Sequence, residues 1–348
     1  MNAETSTVVA KAKERLGEDL LILAHHYQRD EIVDHAHFRG DSLELARRAA
    51  SSSARYIVFC GVHFMAETAA LLARPGQKVF TPREDAGCFL AHQADSVQLR
   101  DAWERLSQAM NVEQDLLPVA YVNTTAEVKA FVGEKGGACC TSSSAEAVLG
   151  WALNKRSRVM FLPDQHLGRN TGRRLGIRAG EIAVWDPRHP ADSLAALTTA
   201  RLILWQGACN VHVRFLTQDV YRVRAERPEA KVIVHPECRP EVVALANEVG
   251  STSFIIREVS SSAPGTAWAV GTEQRLVARL AKENPDKAVF SLGDPPPFCL
   301  NMSVTRVSDL ARLLSQLLAG EKPGLVEVPE RIAVPAREAL RRMLEVVG

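Results

Sequence analysis

Short runs of Val, Ile, Leu and Phe recur along the whole chain, and segments with helical patterning separate them. Several of these runs are apolar throughout, which is typical of strands in a sheet that helices cover on both faces. The alternation predicts parallel sheets and an α/β fold. The candidate strands lie at 20–24, 55–60, 78–81, 118–122, 158–162, 201–205, 231–234, 252–256, 266–270 and 288–292.

The order of these elements repeats three times. In each repeat a strand ends in polar residues, a helix follows, and a later apolar strand leads into a cysteine. The polar strand ends are AHHYQ at 24–28, YVNTT at 121–125 and HPEC at 235–238, and the closing cysteines are Cys88, Cys209 and Cys299. We therefore predict three similar α/β units, at 1–110, 111–225 and 226–348, the last of which includes two C-terminal helices.

Charge and composition exclude several classes of function. The chain has 42 Lys and Arg against 41 Asp and Glu, a net charge of +1, so no overall field draws it to nucleic acid or to an anionic membrane. No stretch reaches the roughly 18 apolar residues of a membrane span, and the charged N-terminal segment does not resemble a secretory signal. We expect a cytoplasmic protein whose seven cysteines are reduced thiols.

Three of the seven cysteines occupy parallel positions in the repeat. Cys88, Cys209 and Cys299 each follow a strand, so in a threefold arrangement they can face one central point. The chain contains no CxxC pair, which argues against a zinc ribbon or a ferredoxin. Three separated thiolates suit an iron–sulfur cluster with one iron that no cysteine holds; the alternative is that they are ordinary buried thiols. The remaining cysteines are expected to be structural: Cys60, Cys139, Cys140 and Cys238.

Polar side chains at the strand ends are candidates for a substrate site. His25 and Tyr27 follow the first strand, and ligands of open α/β sheets bind at this carboxyl end. The corresponding places in the other two units hold Tyr121 with Asn123 and His235 with Glu237. Glu237 is the natural acid/base candidate, because a partly desolvated carboxylate near a metal can titrate near neutrality. The alternative for each side chain is a hydrogen bond within the structure.

Three hydroxyl groups lie at turns or helix starts. Ser42, Ser142 and Thr252 are suited to capping helices, and the backbone N–H groups at helix N-termini also bind carboxylate or phosphate. Such sites accept an anion without an excess of basic side chains. An anionic substrate is therefore compatible with a net charge of +1.

Eleven segments, taken in order, resemble the quinolinate synthase family, which makes quinolinate for NAD biosynthesis. The resemblance covers residues 20 to 305, nearly the whole chain, and eleven motifs in the correct order are specific. The segments are LAHHYQRDEI, GDSLELA, CGVHFMAETA, YVNTTAEVKA, TSSSA, FLPDQHLGRNTG, LWQGAC, VHPEC, GSTSF, GTE and CLNM.

The resemblance implies a fold, a cofactor and a reaction. The fold is three similar three-layer αβα units with short parallel sheets around a pseudo-threefold axis, and the cofactor is one 4Fe–4S cluster held at the centre by one cysteine per unit. The reaction condenses iminoaspartate with dihydroxyacetone phosphate and releases phosphate and water. The enzyme that supplies iminoaspartate is a possible transient partner. The alternatives are another 4Fe–4S hydro-lyase acting on a small carboxylic acid, or a non-catalytic iron–sulfur sensor.

The resemblance also implies roles for particular residues. Tyr27 and Glu237 would be the acid/base groups. The cluster ligands would be Cys88, Cys209 and Cys299. The dicarboxylate site would consist of His25, Ser42, Tyr121, Asn123, Ser142, His235, Glu237 and Thr252.

Overall fold

Helices flank three separate parallel sheets, which have four, five and four strands. A computed structural model of the chain describes residues 3–189 and 194–348. The α/β fold predicted from the sequence is confirmed. Within the described residues, no helix has both the length and the apolar character needed to cross a membrane.

The first sheet has the strand order β2-β1-β3-β4, and every neighbouring pair is parallel. Its strands are β1 (Leu20–His25), β2 (Phe38–Gly40), β3 (Tyr56–Cys60) and β4 (Lys78–Phe80). The helices of this part of the chain are α1 (Ala3–Leu16), α2 (Asp30–Val33), α3 (Ser42–Ser51), α4 (His63–Leu72) and α5 (Ser96–Ala109).

The second sheet has the order β6-β5-β7-β9-β8 and is also parallel throughout. Its strands are β5 (Leu116–Tyr121), β6 (Ala138–Cys140), β7 (Arg158–Leu162), β8 (Ile182–Trp185) and β9 (Leu202–Trp205). The accompanying helices are α6 (Val112–Asp115), α7 (Ala126–Glu134), α8 (Ala145–Lys155), α9 (Gln165–Arg174), α10 (Leu194–Leu197) and α11 (Thr217–Glu226).

The third sheet repeats the order of the first, as β11-β10-β12-β13. Its strands are β10 (Lys231–Val234), β11 (Glu248–Val249), β12 (Ala267–Gly271) and β13 (Ala288–Ser291). The helices are α12 (Pro240–Leu245), α13 (Thr252–Ser261), α14 (Gln274–Glu283), α15 (Leu300–Ser303), α16 (Val307–Leu318) and α17 (Glu330–Val347). The domain boundaries at 110 and 225 stay predictions.

All three sheets place the first strand of the unit between its second and third strands. After the first strand of each unit (β1, β5 or β10), the chain continues to a strand on one side of it in the sheet. After the third strand (β3, β7 or β12), the chain continues toward the opposite side of the sheet. In doubly wound sheets this change of direction opens a crevice at the carboxyl ends of the central strands. Each of the three sheets is therefore expected to have such a crevice, suited to a ligand, at the carboxyl ends of its central strands.

Nine of the ten strands predicted from the sequence are confirmed, and the tenth is wrong. The segment 252–256 forms the start of α13, in which Thr252, Ile255 and Val259 are buried at helical spacing. A five-residue apolar run does not by itself distinguish a strand from a buried helix. Four short strands were missed, and all four lie at sheet edges: β2, β6, β8 and β11.

The last two helices leave the third unit and pack on the other two. Helix α16 lies against α1, and together they cover one face of the first sheet, where Val9, Ile22, Val58, Leu310 and Leu314 are buried together. Helix α17 crosses α7 and lies along β6 of the second sheet. The C-terminal segment therefore supplies part of the core of the first two units.

The crossing of α7 and α17 is so close that it requires a glycine. A Cβ atom on Gly133 would lie 1.8 Å from the backbone oxygen of Pro335. This backbone cannot give way as a flexible side chain does. At Gly150 in α8, by contrast, the nearest atom would lie 3.9 Å away, at Leu175.

These two helical glycines form a matched pair for testing the crossing. We expect Gly133→Ala to destabilise the protein by about 1–3 kcal/mol, because α7 and α17 must move apart. We expect Gly150→Ala to stabilise it by about 0.5–1 kcal/mol, because alanine is the better helix former and the site has room. Urea unfolding of both variants measures the difference, and equal stability of the two would contradict the observed crossing.

Candidate active site

One cavity lies where the carboxyl ends of the three sheets meet. It encloses about 710 Å³ not filled by protein atoms, including its opening to solvent. Residues from all three units line it. Every site residue predicted from the sequence is among them: His25, Tyr27, Ser42, Cys88, Tyr121, Asn123, Ser142, Cys209, His235, Glu237, Thr252 and Cys299.

The first unit places His25 and Tyr27 at the end of β1. His25 is the last residue of the strand, and its Nδ1 accepts a hydrogen bond of 3.1 Å from the backbone N–H of Tyr27. The two rings meet edge to face, with centroids 4.6 Å apart. Burial, with help from the neighbouring His26 and His235, lowers the pKa of His25 to about 3. The imidazole is therefore neutral at physiological pH.

The three predicted hydroxyl residues are not the helix caps. Helix α3 is capped by the Asp41 carboxylate, which accepts N–H groups in a complete capping box with Glu44, and Ser42 follows as the first helical residue. Helix α13 is capped by Ser251, and Thr252 follows in the same way. Ser142 lies in the turn before α8. Asp41 and Ser251 therefore do the capping of α3 and α13 in place of Ser42 and Thr252.

A chain of polar contacts links Tyr27 to Glu237 through two residues that the sequence analysis missed. The Tyr27 hydroxyl lies 2.8 Å from Thr272 Oγ1, which lies 3.1 Å from His212 Nε2. On the other side of the ring, His212 Nδ1 is 2.5 Å from Glu237 Oε2. The Tyr27 hydroxyl also lies 3.1 Å from Thr252 Oγ1. These contacts form one continuous chain from the tyrosine hydroxyl to the carboxylate.

Glu237 is ionised in this environment. Burial raises the pKa of its carboxyl, but the adjacent His212 and His235 and a hydrogen bond with Tyr121 outweigh burial and lower the pKa to about 2. This differs from the near-neutral titration expected from the sequence. The difference arises because Glu237 Oε2 is in direct contact with His212, 2.5 Å from Nδ1.

The neighbouring side chains of His235, Tyr27 and Tyr121 are uncharged. Burial, with His212 next, lowers the pKa of His235 to about 3, and the two imidazoles stack with centroids 4.3 Å apart. Burial also raises the pKa of both Tyr27 and Tyr121 well above the ordinary value. The cavity thus combines an ionised carboxylate with two protonated phenols.

Two buried oxygens at the site have no hydrogen-bond donor within the described part of the chain. They are Asn123 Oδ1 and Glu237 Oε1. Native structures leave few buried polar atoms unpaired, so such atoms call for an explanation. Since both residues line the cavity, a bound ligand can supply the missing donors.

Cys88, Cys209 and Cys299 share one local geometry. Each begins a short helical turn, and its sulfur accepts backbone N–H groups from the residues two and three positions later. The donors are Leu90 and Ala91 for Cys88, Val211 and His212 for Cys209, and Asn301 and Met302 for Cys299. Such N–H groups stabilise a thiolate, so the repeat of one motif in three units favours a common role for the three sulfurs.

The remaining four cysteines lie elsewhere. Cys60, Cys139, Cys140 and Cys238 are fully buried in the cores, and none of them lines the cavity. Burial raises the pKa of Cys88 to about 12 and that of Cys299 to about 11, so these thiols give up their protons only to a strong competitor such as a metal. Three thiols at one cavity, each supported by backbone donors, fit the requirements of an iron–sulfur cluster.

The Cys209 sulfur also lies beside the acid–base groups. The ligand atoms of Cys209, His212 and Glu237 all lie within 4.8 Å of one another. A metal held by this sulfur would therefore be next to the ionised carboxylate. The position of His212, three residues after Cys209, was the one sequence signal that could have pointed to it.

The fold and this site define an α/β enzyme whose single active-site cavity is shared by three parallel sheets. A family model described as Quinolinate synthetase A protein matches residues 7–345, and the chain belongs to that family.

Three relatives named quinolinate synthase are similar over nearly their full length. The protein of Herpetosiphon aurantiacus is 46% identical over 344 residues, which is 98% of this chain and 92% of that protein. The protein of Bacillus subtilis is 45% identical over 347 residues, with 99% and 93% covered. The protein of Corynebacterium glutamicum is 44% identical over 342 residues, with 97% and 86% covered.

The geometry of the cysteines predicts the outcome of replacing each one with serine. We expect Ser at Cys88, Cys209 or Cys299 to abolish cluster binding, because each removes one of three thiolate ligands. The matched controls are Cys60→Ser, Cys139→Ser, Cys140→Ser and Cys238→Ser. Each control should keep the cluster and lose about 1–3 kcal/mol of stability from burying a hydroxyl.

Iron and sulfide content after anaerobic reconstitution tests all seven variants. Loss of the cluster from one of the four controls would mean that a fourth cysteine binds iron. Each of the four irons of the cluster would then have a cysteine ligand.

Proposed function

We propose that the protein is a quinolinate synthase of NAD biosynthesis that condenses iminoaspartate with dihydroxyacetone phosphate and releases phosphate and water. The family supports the product, since the relatives carry that name. The observation that carries the chemistry is the Tyr27–Thr272–His212–Glu237 chain in the same cavity as three cysteine thiols. We propose a cytoplasmic location and a possible transient contact with the enzyme that supplies the imine.

We further propose that Cys88, Cys209 and Cys299 hold one 4Fe–4S cluster. When bound, such a cluster supplies a Lewis acid at the iron that no cysteine holds. The support from this chain is the shared geometry of the three sulfurs, each with two backbone donors.

Both proposed substrates are anions, yet among the described residues no Lys or Arg lines the cavity. Recognition would depend on neutral donors: the N-terminus of α13, the hydroxyls of Ser42, Ser142 and Thr252, and neutral imidazoles. Helix N-termini carry partial positive charge and free N–H groups, which suit carboxylate and phosphate. The only other carboxylate in the cavity, that of Asp41, is occupied by the N–H groups of α3 and by the Ser253 hydroxyl.

The chain of contacts gives Tyr27 a path for accepting a proton. With Nδ1–H facing Glu237, His212 Nε2 accepts from the Thr272 hydroxyl, whose oxygen accepts from the Tyr27 hydroxyl. A proton taken by the Tyr27 oxygen from substrate would shift protons along Thr272 to His212, and the Glu237 carboxylate would stabilise the imidazolium. In this scheme Glu237 and Tyr27 act as one unit, as in other acid–base relays built on histidine.

Burial of the site protects the imine substrate. The side chains of His25, His235 and Glu237 are each at most 4% exposed. A closed site excludes water from reactive intermediates and strengthens the electrostatic interactions within it. The same cavity would hold both substrates in reacting positions.

The proposal predicts a strict requirement for two substrates. We expect the reconstituted holoenzyme to form quinolinate and inorganic phosphate only when the imine and the triose phosphate are both present. Anaerobic assays with each substrate alone and with both measure this directly. Turnover of a single carboxylic acid without phosphate release would instead favour the hydro-lyase alternative.

The proposed proton path from Tyr27 to Glu237 predicts a large effect of removing the negative charge of Glu237. We expect Glu237→Gln to lower kcat by about 100-fold or more, because the neutral amide cannot stabilise the His212 imidazolium. The matched control is Glu241→Gln, at an exposed position of α12 in the same unit, which should keep full activity. If iron content is normal and kcat falls by less than threefold in Glu237→Gln, Glu237 is not part of proton transfer.

A further inference from the structure

Two buried carboxylates occupy equivalent positions in the second and third units. Asp164 follows β7 and caps α9, and Glu273 follows β12 and caps α14. Both side chains are completely buried. A buried carboxylate is costly unless hydrogen bonds satisfy both of its oxygens. One oxygen of each carboxylate caps a helix. The hydrogen-bond partner of the other oxygen therefore indicates what further role the residue has.

In the second unit, Asp164 divides its oxygens between a helix and a cysteine. Oδ1 accepts hydrogen bonds of 2.9 and 2.8 Å from the backbone N–H groups of His166 and Leu167, which cap α9. Oδ2 accepts a hydrogen bond of 3.1 Å from the backbone N–H of Cys209. One side chain thus ties the cysteine loop to a helix that packs on the sheet.

The third unit repeats this arrangement with a longer side chain. Glu273 Oε2 accepts hydrogen bonds of 2.8 and 3.4 Å from the N–H groups of Arg275 and Leu276, which cap α14. Glu273 Oε1 accepts a hydrogen bond of 3.1 Å from the backbone N–H of Cys299. Two different residue types therefore make the same connection to two different cysteines.

The first unit has no such carboxylate. Val62 stands at the equivalent position, after β3 and before α4, and its side chain has no hydrogen-bonding atom. The start of α4 instead reaches the loop before Cys88 through its backbone, where the His63 N–H donates to the Ala86 carbonyl at 2.7 Å. The three cysteines are thus supported in two different ways.

We propose that Asp164 and Glu273 are positioning residues that fix Cys209 and Cys299 as ligands of the cluster, whereas Cys88 is held without a carboxylate. This inference rests on the cluster proposed above. Each hydrogen bond fixes the backbone N–H of the cysteine, and so the main chain from which its side chain projects. Groups that orient metal ligands in this way commonly contribute 10–100-fold to metal affinity.

Replacing each acid with its amide separates capping from cysteine positioning. In Asp164→Asn the amide oxygen can still accept the N–H groups of α9, and the NH₂ group then faces the N–H of Cys209. Two donors in contact cannot hydrogen-bond, so the link to the cysteine is lost while the cap is kept. Glu273→Gln makes the same change at Cys299.

Asp95→Asn is the matched control. Asp95 Oδ1 caps α5 through the N–H groups of Val97 and Gln98, both at 2.8 Å, as Asp164 caps α9. Asp95 is exposed and does not line the cavity. The control therefore reports the cost of changing a capping aspartate to asparagine without touching a cysteine.

The experiment compares iron release from the reconstituted full-length proteins. Each holoprotein is mixed anaerobically with an excess iron chelator, and thermal unfolding of each apoprotein is followed by circular dichroism. We expect Asp164→Asn and Glu273→Gln to release iron about 10-fold or more faster than the wild type, whereas Asp95→Asn matches the wild type. The apoproteins of all three variants should melt close together.

Two results would overturn the inference. One is iron release at the wild-type rate from both amide variants. The other is faster release accompanied by an apoprotein that melts well below Asp95→Asn, because the amide would then have weakened the fold and not the cysteine. A wild-type protein that takes up no iron would instead contradict the proposed cluster itself, so the two failures are distinguishable.

Discussion

In a parallel sheet the carboxyl ends of all the strands lie at the same end of the sheet. The N-termini of the helices that follow these strands lie there too. In this protein three such ends meet at a single cavity, and this meeting determines everything else at the site. It brings residues from distant parts of the chain together without a long loop. It also directs the partial positive charge of several helix N-termini at one point. One cavity lined by residues of all three units is the direct result.

Within that cavity the ionised Glu237 carboxylate lies beside imidazoles and phenols that are uncharged. Glu237 and His212 contact each other at 2.5 Å, and the surrounding imidazoles and phenols are uncharged because burial disfavours their ionised forms. Burying a carboxylate alone would be costly, and the histidine compensates for it. The pair in turn orients His212, so that its second nitrogen reaches Thr272. The same contact therefore provides a partner for the buried carboxylate and orients the imidazole.

The sequence predicted the long central strands and twelve of the residues that line the cavity, because strand ends and family motifs are local signals. The edge strands β2, β6, β8 and β11 were missed because a segment of two to four residues is too short to show a strand pattern. The segment 252–256 was misread because its β-branched residues suit a strand, whereas Ser251 caps a helix there. His212 and Thr272 were missed because their link between Tyr27 and Glu237 exists only in the folded chain, although Thr272 lies in the GTE segment and His212 follows Cys209 by three residues. Asp164 and Glu273 look like ordinary helix caps until the fold brings a cysteine to each.

The packing of α16 and α17 on the first two units also bears on how the chain folds during synthesis. The strands of the first sheet are complete at Phe80, but part of one face stays uncovered until Leu318 has left the ribosome. At the usual pace of translation this interval is roughly 12–48 s. Apolar residues such as Ile22 and Val58 are exposed on the nascent chain for that time. The N-terminal unit therefore completes this part of its core only when the C-terminal segment arrives.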